Sequence, residues 1–203
     1  MVALDDLFKA ADFRDAVEGL ASDFRAYHKL PEIHQLGIVV SDVEMAAVQL
    51  EEKGIGPFFI TSGNPVLWKE RGEDGNFEGK LGFAYHQGFE LELLEPGKGS
   101  EFYRQFLDPE GAMVVHHLGF MVPDVDTWAE DLSSSGYPVW IRGKLKSGPS
   151  TADFAYMDTV SDAGLVIEFI CWKLMGVRFN TPPSIFHAIG RIEKWTGKRS
   201  ISL

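Results

Sequence analysis

Glu168 stands inside an apolar run, Leu165-Val166-Ile167-Glu168-Phe169-Ile170, with no lysine or arginine beside it. A carboxylate buried in such surroundings costs several kcal/mol unless it is paired or bound to a cation. Glu92 is placed the same way in Leu91-Glu92-Leu93. Two earlier segments, His34-Gln35-Leu36-Gly37 and His116-His117-Leu118-Gly119, each put a polar side chain two positions before a glycine. Gln35, Glu92, His117 and Glu168 together offer one nitrogen and three oxygen donors. A mixed set of that kind suits a borderline divalent ion such as Zn, Ni, Co, Mn or Fe, whereas a soft-metal site would use thiolates. Two carboxylates sharing one face also repel each other unless a cation lies between them.

The elements that must position these residues follow from a repeat. His34-Gln35-Leu36-Gly37-Ile38-Val39-Val40 is echoed by His116-His117-Leu118-Gly119-Phe120-Met121-Val122, and the pairs Gly37/Gly119, Asp42/Asp124, Val43/Val125 and Gly54/Gly136 are all 82 positions apart. Phe83-Ala84-Tyr85 returns as Phe154-Ala155-Tyr156. A repeat this long means two copies of one supersecondary unit, neither able to bury its apolar face alone. Each copy reads as strand, helix, three strands. The first strand runs over 33–40, Asp42 starts a helix that Gly54 stops, and extended segments follow at roughly 57–62, 80–87 and 88–95. The segment KERGEDGNFEGK (69–80) reads as a polar loop. Strand alternation puts Leu36, Ile38 and Val40 on a helix-covered face with Leu118, Phe120 and Val122. Gln35, Gly37, His117 and Gly119 fall on the opposite face, as do Glu92 and Glu168. The repeated glycine is expected to leave room there for something other than protein. The fold class expected is α+β: two βαβββ modules, 32–96 and 113–172, forming one curved mixed sheet. A connector spans 97–112, an N-terminal helical extension 1–31 and a C-terminal helical extension 173–203. Helical spacing predicts one helix over 4–29 and another from Pro182 to about Trp195.

The chain has 203 residues, 45% of them hydrophobic and 24% charged, with a formal net charge of −11. That charge disfavours nucleic acid and anionic membrane surfaces, and no apolar run is long enough to cross a bilayer. The acidic, helical start lacks the basic and apolar stretches of a secretory signal, so a cytoplasmic protein is expected. The single cysteine, Cys171, lies in an apolar run and reads as a buried, inert thiol. The partner expected is a small molecule. The terminal extensions leave a homodimer open.

Other polar residues carry plainer readings. His34 is an alternative to Gln35 as a ligand, because an amide is a weak one. His116 reads as helix-facing or strand-end, His86 as an exposed strand residue and Glu90 as a rim residue. Tyr85 and Tyr156 read as shared packing. Trp68, Trp140 and Trp172 are either core or the wall of an apolar pocket. Lys144 and Lys146 read as a solvated loop that could also hold an anionic group.

The paired segments HQLGIVVSDV and HHLGFMVPDV, each followed by a helix ending in glycine, resemble the openings of the two halves in the vicinal-oxygen-chelate superfamily. That superfamily includes glyoxalase I, methylmalonyl-CoA epimerase, extradiol dioxygenases and antibiotic-resistance proteins. ELLEP (92–96) and GLVIEFI (164–170) resemble its closing strands, so the resemblance covers about 32–172. It implies ligands at Gln35, Glu92, His117 and Glu168, in the order of the zinc set of eukaryotic glyoxalase I. It also implies chelation of two vicinal oxygens, with Glu168 as general base and Glu92 returning the proton. The glutathione-holding arginine and asparagine of glyoxalase I are here Val39 and Pro96. The connector ending GAMVVHHLG is more similar to the epimerase, yet PFFITSGNPV (57–66), where a second acid is expected, contains none; Glu70 in the following loop is the substitute. Three functions therefore compete: a metal-dependent glyoxalase-like lyase or isomerase acting on a carbonyl compound or thioester, an acyl-CoA epimerase, and a non-catalytic protein that sequesters a ligand. An extradiol dioxygenase fits only if His34 replaces Gln35.

Overall fold

The computed structural model describes residues 2–179 and Arg191. A two-residue strand, β1 (Val2–Ala3), leads into α1 (Leu4–Lys9), α2 (Phe13–Gly19) and α3 (Ser22–Tyr27). The single helix predicted over 4–29 is thus three. Asp12 leaves the helical region and its carboxylate accepts from the Asp15 N–H at 3.0 Å, which caps a new helix. Gly19 closes that helix, and Ala21 adopts a left-handed φ of 49° before the next begins. The apolar spacing still works across the breaks: Leu4, Leu7, Phe13, Val17 and Phe24 are all buried in the core on the helical side of the sheet. The helix predicted from Pro182 lies outside the described residues.

The first repeat folds as β2 (Gln35–Val39), α4 (Val43–Glu52), β3 (Phe59–Gly63), β4 (Leu67–Glu70), β5 (Glu73–Asp74), β6 (Glu78–His86) and β7 (Phe89–Lys98). A 3-10 turn at Arg104–Phe106 lies in the connector. The second repeat is β8 (Val114–Met121), α5 (Val125–Ser134), β9 (Val139–Ser147), β10 (Ser150–Met157), α6 (Val160–Ala163), β11 (Val166–Leu174) and β12 (Val177–Arg178). The strands form one sheet in the order β3-β6-β7-β2-β8-β11-β10-β9-β4-β5, with β1 on β8 and β12 on β11. Two βαβββ units therefore meet edge to edge along the antiparallel β2–β8 pair, and within each unit the first and last strands are parallel. Among the described residues no helix is long and apolar enough to cross a membrane.

The predicted polar loop is where the structure departs most from the sequence reading. Leu67–Glu70 is a strand, and besides the short β5 that follows it, it pairs with β9 of the other repeat. Trp68 supplies the reason, since this strand carries a large indole that is buried against Phe77 and Phe102. The Arg71 guanidinium then stacks over Trp140 and binds Asp158 at 2.9 Å, holding the segment against the second half. β3 and β4 sit near opposite ends of the strand order, yet only residues 64–66 connect them. Such a link spans at most about 14 Å. The sheet must curl until its two ends almost meet, which makes a deep cup inside one chain.

Two layers of core result. Leu36, Ile38, Leu91, Leu93, Leu118, Phe120, Ile167 and Phe169 pack under α4 and α5, as alternation predicts. Burying each such side chain stabilises the fold by about 1.5–3 kcal/mol. The inner face carries a second, aromatic cluster that includes Trp68, Phe77, Phe83, Phe102 and Tyr156. The covering helices start alike: the Asp42 carboxylate accepts from Met45 N–H and the Asp124 carboxylate from Thr127 N–H, both at 2.9 Å. Cys171 is buried, with its thiol 3.6 Å from the Pro123 carbonyl and pushed up in pKa by burial. Asp42→Ala removes one cap and is expected to cost about 1 kcal/mol of unfolding free energy, read from a shift of the urea midpoint at unchanged slope.

Candidate metal centre

Gln35, Glu92, His117 and Glu168 all project into the cup from the four central strands. The registers explain why. Gln35 pairs with Gly119 and Gly37 with His117 across the seam; Glu92 lies beside Gly37, and Glu168 beside Gly119. Each glycine is thus flanked by two candidate ligands. A Cβ on Gly37 would lie 1.8 Å from the His117 ring, and one on Gly119 would lie 2.7 Å from Gln35 Oε1. The sequence reading expected the glycines to make room for something other than protein. The room is instead taken by the ligand side chain of the opposite repeat, because antiparallel pairing brings each glycine against it.

His117 Nε2 stands 3.0 Å from Glu168 Oε2 and 3.4 Å from Glu92 Oε2, and one ligand atom from each of the three lies within 4.8 Å of the others. All three side chains are buried. These approaches fall off the line of a hydrogen bond: Gln35 Oε1, Glu92 Oε2, His117 Nε2 and Glu168 Oε2 are all buried without a partner. Leaving even one such group unsatisfied costs about 1–3 kcal/mol. Ligand atoms ~2.1 Å from a shared ion stand about 3.0 Å apart at octahedral angles and about 3.4 Å at tetrahedral ones. The donor types, the separations and the four orphaned atoms fit a divalent ion. The charges point the same way. Burial lowers the pKa of His117, but Glu168 and Glu92 overcome it and raise it to about 9. Burial raises Glu168, against the pull of His117. Both directions reflect excess negative charge in a buried place, where positive charge is favoured.

The neighbours of the four are more specific than the sequence suggested. β8 is bulged opposite β2, where Gly37 pairs with His117 but Ile38 with Val115. The bulge carries His116, which alternation placed on the helix side, onto the inner side, where its ring packs against Phe102, Phe106 and Tyr156. Its Nδ1 lies 3.0 Å from Nδ1 of His117. Burial holds His116 well below the usual imidazole pKa; a metal on His117 Nε2 would leave the proton on His117 Nδ1, making His117 the donor and His116 the acceptor.

Glu90 is not a rim residue but is 2% exposed, because its strand is central and both its carboxylate oxygens are claimed. Oε1 accepts from the Gln35 amide at 2.9 Å and Oε2 from the Tyr85 hydroxyl at 2.7 Å. The first of these bonds fixes which way the amide points and turns Gln35 Oε1 inward. Burial lifts Glu90 to about 8, with Tyr85 pulling the other way.

His34 does not join the cluster. Its Nε2 is 4.0 Å from Glu90 Oε2, and burial lowers its pKa. His86 packs against Phe8 and Phe13 of the N-terminal helices rather than standing exposed. Glu70 accepts from the Ser100 hydroxyl at 3.0 Å and does not line the chamber. Lys144 pairs with Asp153 at 3.3 Å. Tyr156 lies beside His117 and against the Glu168 carboxylate, and accepts from Tyr103 at 3.0 Å. Tyr103 was passed over by sequence reasoning, whereas Glu90 was read as a rim residue although it shares the phase of Glu92. In front of the cluster lies a narrow chamber of about 40 Å³, lined by both repeats and including Trp68 and Trp172. Trp140 stacks against Phe102 beyond that wall.

Residues 34–156 match the family described as the glyoxalase/bleomycin resistance protein/dioxygenase superfamily. No curated protein matches the chain. Among solved structures, it is similar to a Streptomyces coelicolor methylmalonyl-CoA epimerase in complex with 2-nitronate-propionyl-CoA, at 17% identity and a TM-score of 0.46, covering 74% of this chain and 99% of that one. It is also similar to the Mycobacterium tuberculosis methylmalonyl-CoA epimerase, at 18% identity and 0.45, covering 68% and 85%. A hypothetical protein from Bacillus halodurans C-125 matches at 17% and 0.44, covering 68% and 92%.

Three outcomes follow from this geometry. Glu90→Ala strands the Gln35 amide and is expected to weaken metal affinity about 10–100-fold, with Glu90→Gln, which keeps an acceptor, recovering most of it; competition with a chromogenic chelator reads both. Because the raised pKa of His117 belongs to the metal-free fold, its proton stabilises that fold fully below pH 6.5, and the stabilisation is lost as the pH rises through about 9. Melting of the metal-free chain should therefore fall over that window. Metal uptake at about pH 7 should release a proton, seen as a buffer-dependent heat in calorimetry.

Proposed function

The chain belongs to the glyoxalase/bleomycin resistance protein/dioxygenase superfamily, and from that premise we propose that it is a metal-dependent lyase or isomerase of the glyoxalase type. Its reaction would pass through an enolate of a carbonyl compound or thioester. The observation that carries this reading is the buried cluster of Glu92, His117 and Glu168, whose unpartnered donor atoms lie within 4.8 Å of one another, with Gln35 and both carboxylates lining one chamber. Those residues would hold a divalent ion of the Zn, Ni, Co, Mn or Fe group. When bound, such an ion supplies Lewis-acid stabilisation of negative charge on a substrate oxygen.

The chain's own groups supply the proton chemistry. Glu168 takes the proton from the carbon next to the carbonyl. Its pKa, raised by burial, brings it closer to that task than an exposed carboxylate. Glu92, on the other side of His117, returns a proton to the neighbouring carbon. Tyr156 lies against Glu168 and is backed by Tyr103, so it steadies that carboxylate while the proton is on or off. The aromatic wall excludes water from the reacting atoms. A two-base epimerisation with a further acid is less well supported, since the carboxylates lining the chamber among the described residues are Glu92 and Glu168, and Glu70 is held by Ser100. A dioxygenase ligand set is disfavoured by the position of His34.

Elemental analysis of the chain purified without tag or chelator is expected to find about one equivalent of divalent transition metal, lost in His117→Ala. Glu168→Gln is expected to keep the fold by circular dichroism and to slow deuterium exchange into hemithioacetal or 2-methyl acyl-CoA substrates about 10²–10⁴-fold. Full exchange by that variant would overturn the mechanism. A chain that takes up no metal on titration would leave ligand sequestration as the function.

A further inference from the structure

The chamber in front of the four donors is almost free of charge. Its wall is built largely by Trp68, Phe77, Leu81, Phe83, Phe154 and Ile170. Among the described residues lining it, the ionisable groups are Glu92, Glu168 and the phenols of Tyr103 and Tyr156; no lysine, arginine or histidine side chain is included. An adjoining cavity shares Gly63, Leu81, Leu145, Ala152 and Trp172 with the chamber and is otherwise lined by Thr61, Ser62, Asn64, Ser150 and Lys146. The two cavities thus adjoin at Leu145, with an aromatic interior on one side and a polar cavity that includes Lys146 on the other.

A charge count limits what the interior can accept. Two carboxylates offset a divalent ion, and Gln35 and a neutral His117 add nothing, so the loaded centre is neutral. An uncharged substrate leaves it so. When the substrate's proton moves to Glu168, the C–H electron pair stays on the substrate, which becomes −1 as Glu168 becomes neutral, and the total does not change. An anionic group inside the aromatic wall would add a charge that no side chain there opposes, in a chain already at −11. Such a group costs several kcal/mol in apolar surroundings.

Building on the reading of the centre as a divalent-metal site, we propose that the chamber selects an uncharged, apolar compound, best an aromatic one, bearing two vicinal oxygens. Any anionic part of the substrate lies outside, beyond Leu145 and toward Lys146. This sets the interior apart from one designed around a carboxylate-bearing acyl group.

The test is calorimetry on the zinc-loaded full chain with two probes of equal shape: the 3-nitrophenyl and the 3-carboxyphenyl hydroxymethyl ketones. They share one chelating head and differ in charge. The nitro compound is expected to bind at least about tenfold more tightly. Leu145→Lys, which sets an ammonium at the edge of the chamber, is expected to narrow or reverse that ratio. Equal or tighter binding of the carboxylate by the wild type overturns the proposal. So does binding of neither probe by a chain that holds its zinc, or an unchanged ratio in a folded Leu145→Lys. A chain that takes up no zinc overturns the metal reading, and this one with it.

Discussion

Along the seam between the repeats, His117 rests on Gly37 and Gln35 rests on Gly119. This reciprocal nesting is the constraint on which the centre depends. Antiparallel pairing of two copies of one strand forces a side chain of each copy over a glycine of the other. A methyl group at either glycine would push a donor out of the cluster. The parallel neighbours β7 and β11 then bring Glu92 and Glu168 to the same rows. Four donors are therefore placed by backbone register, on the four central strands of the sheet, and no loop is needed to assemble them.

Register places the donors, but their orientation comes from what touches them on the far side. The bulge at His116 delivers a neutral ring nitrogen to Nδ1 of His117, and Glu90 takes the Gln35 amide so that the carbonyl oxygen faces inward. Each contact consumes the polar atom that points away and leaves unpartnered the one that points in. A fold gains nothing from four unsatisfied buried atoms by themselves. Their gathering around His117, whose pKa the two carboxylates raise, is the signature of a place held for positive charge.

The chamber itself is made by closure. β4 leaves the first repeat and adds to the edge of the second, so aromatic residues from both line one cavity. Trp68 arrives by this route, and Arg71 locks it through Trp140 and Asp158. The outcome is a neutral, low-dielectric interior over a cluster whose own charges balance a divalent ion. In such a medium each electrostatic interaction with a reacting oxygen is stronger than it would be in water.

Much of this was legible in the sequence. The repeat spaced by 82 positions, the alternation of Leu36, Ile38 and Leu118, Phe120, and the lone carboxylates at 92 and 168 were enough to predict two βαβββ modules and to put four donors on one face. These are local, periodic signals, and a strand of period two converts them directly into sides. Other features were decided only by tertiary structure. A bulge inserts one residue without changing composition, so His116 looked helix-facing. The strand at Leu67–Glu70 sits in a polar stretch and finds its partner in the other repeat, so it read as a loop. Glu90 looked like a rim residue because it is near the start of its strand, and its burial comes from the sheet around it and from Tyr85 and Gln35. The two interruptions of the N-terminal helix follow from the Asp12 cap and from the left-handed turn at Ala21, neither of which periodicity registers. Sequence fixes the face on which a side chain lies when the period is regular; which atoms finally meet depends on pairing between distant strands, and that is set by packing the whole sheet into a closed cup.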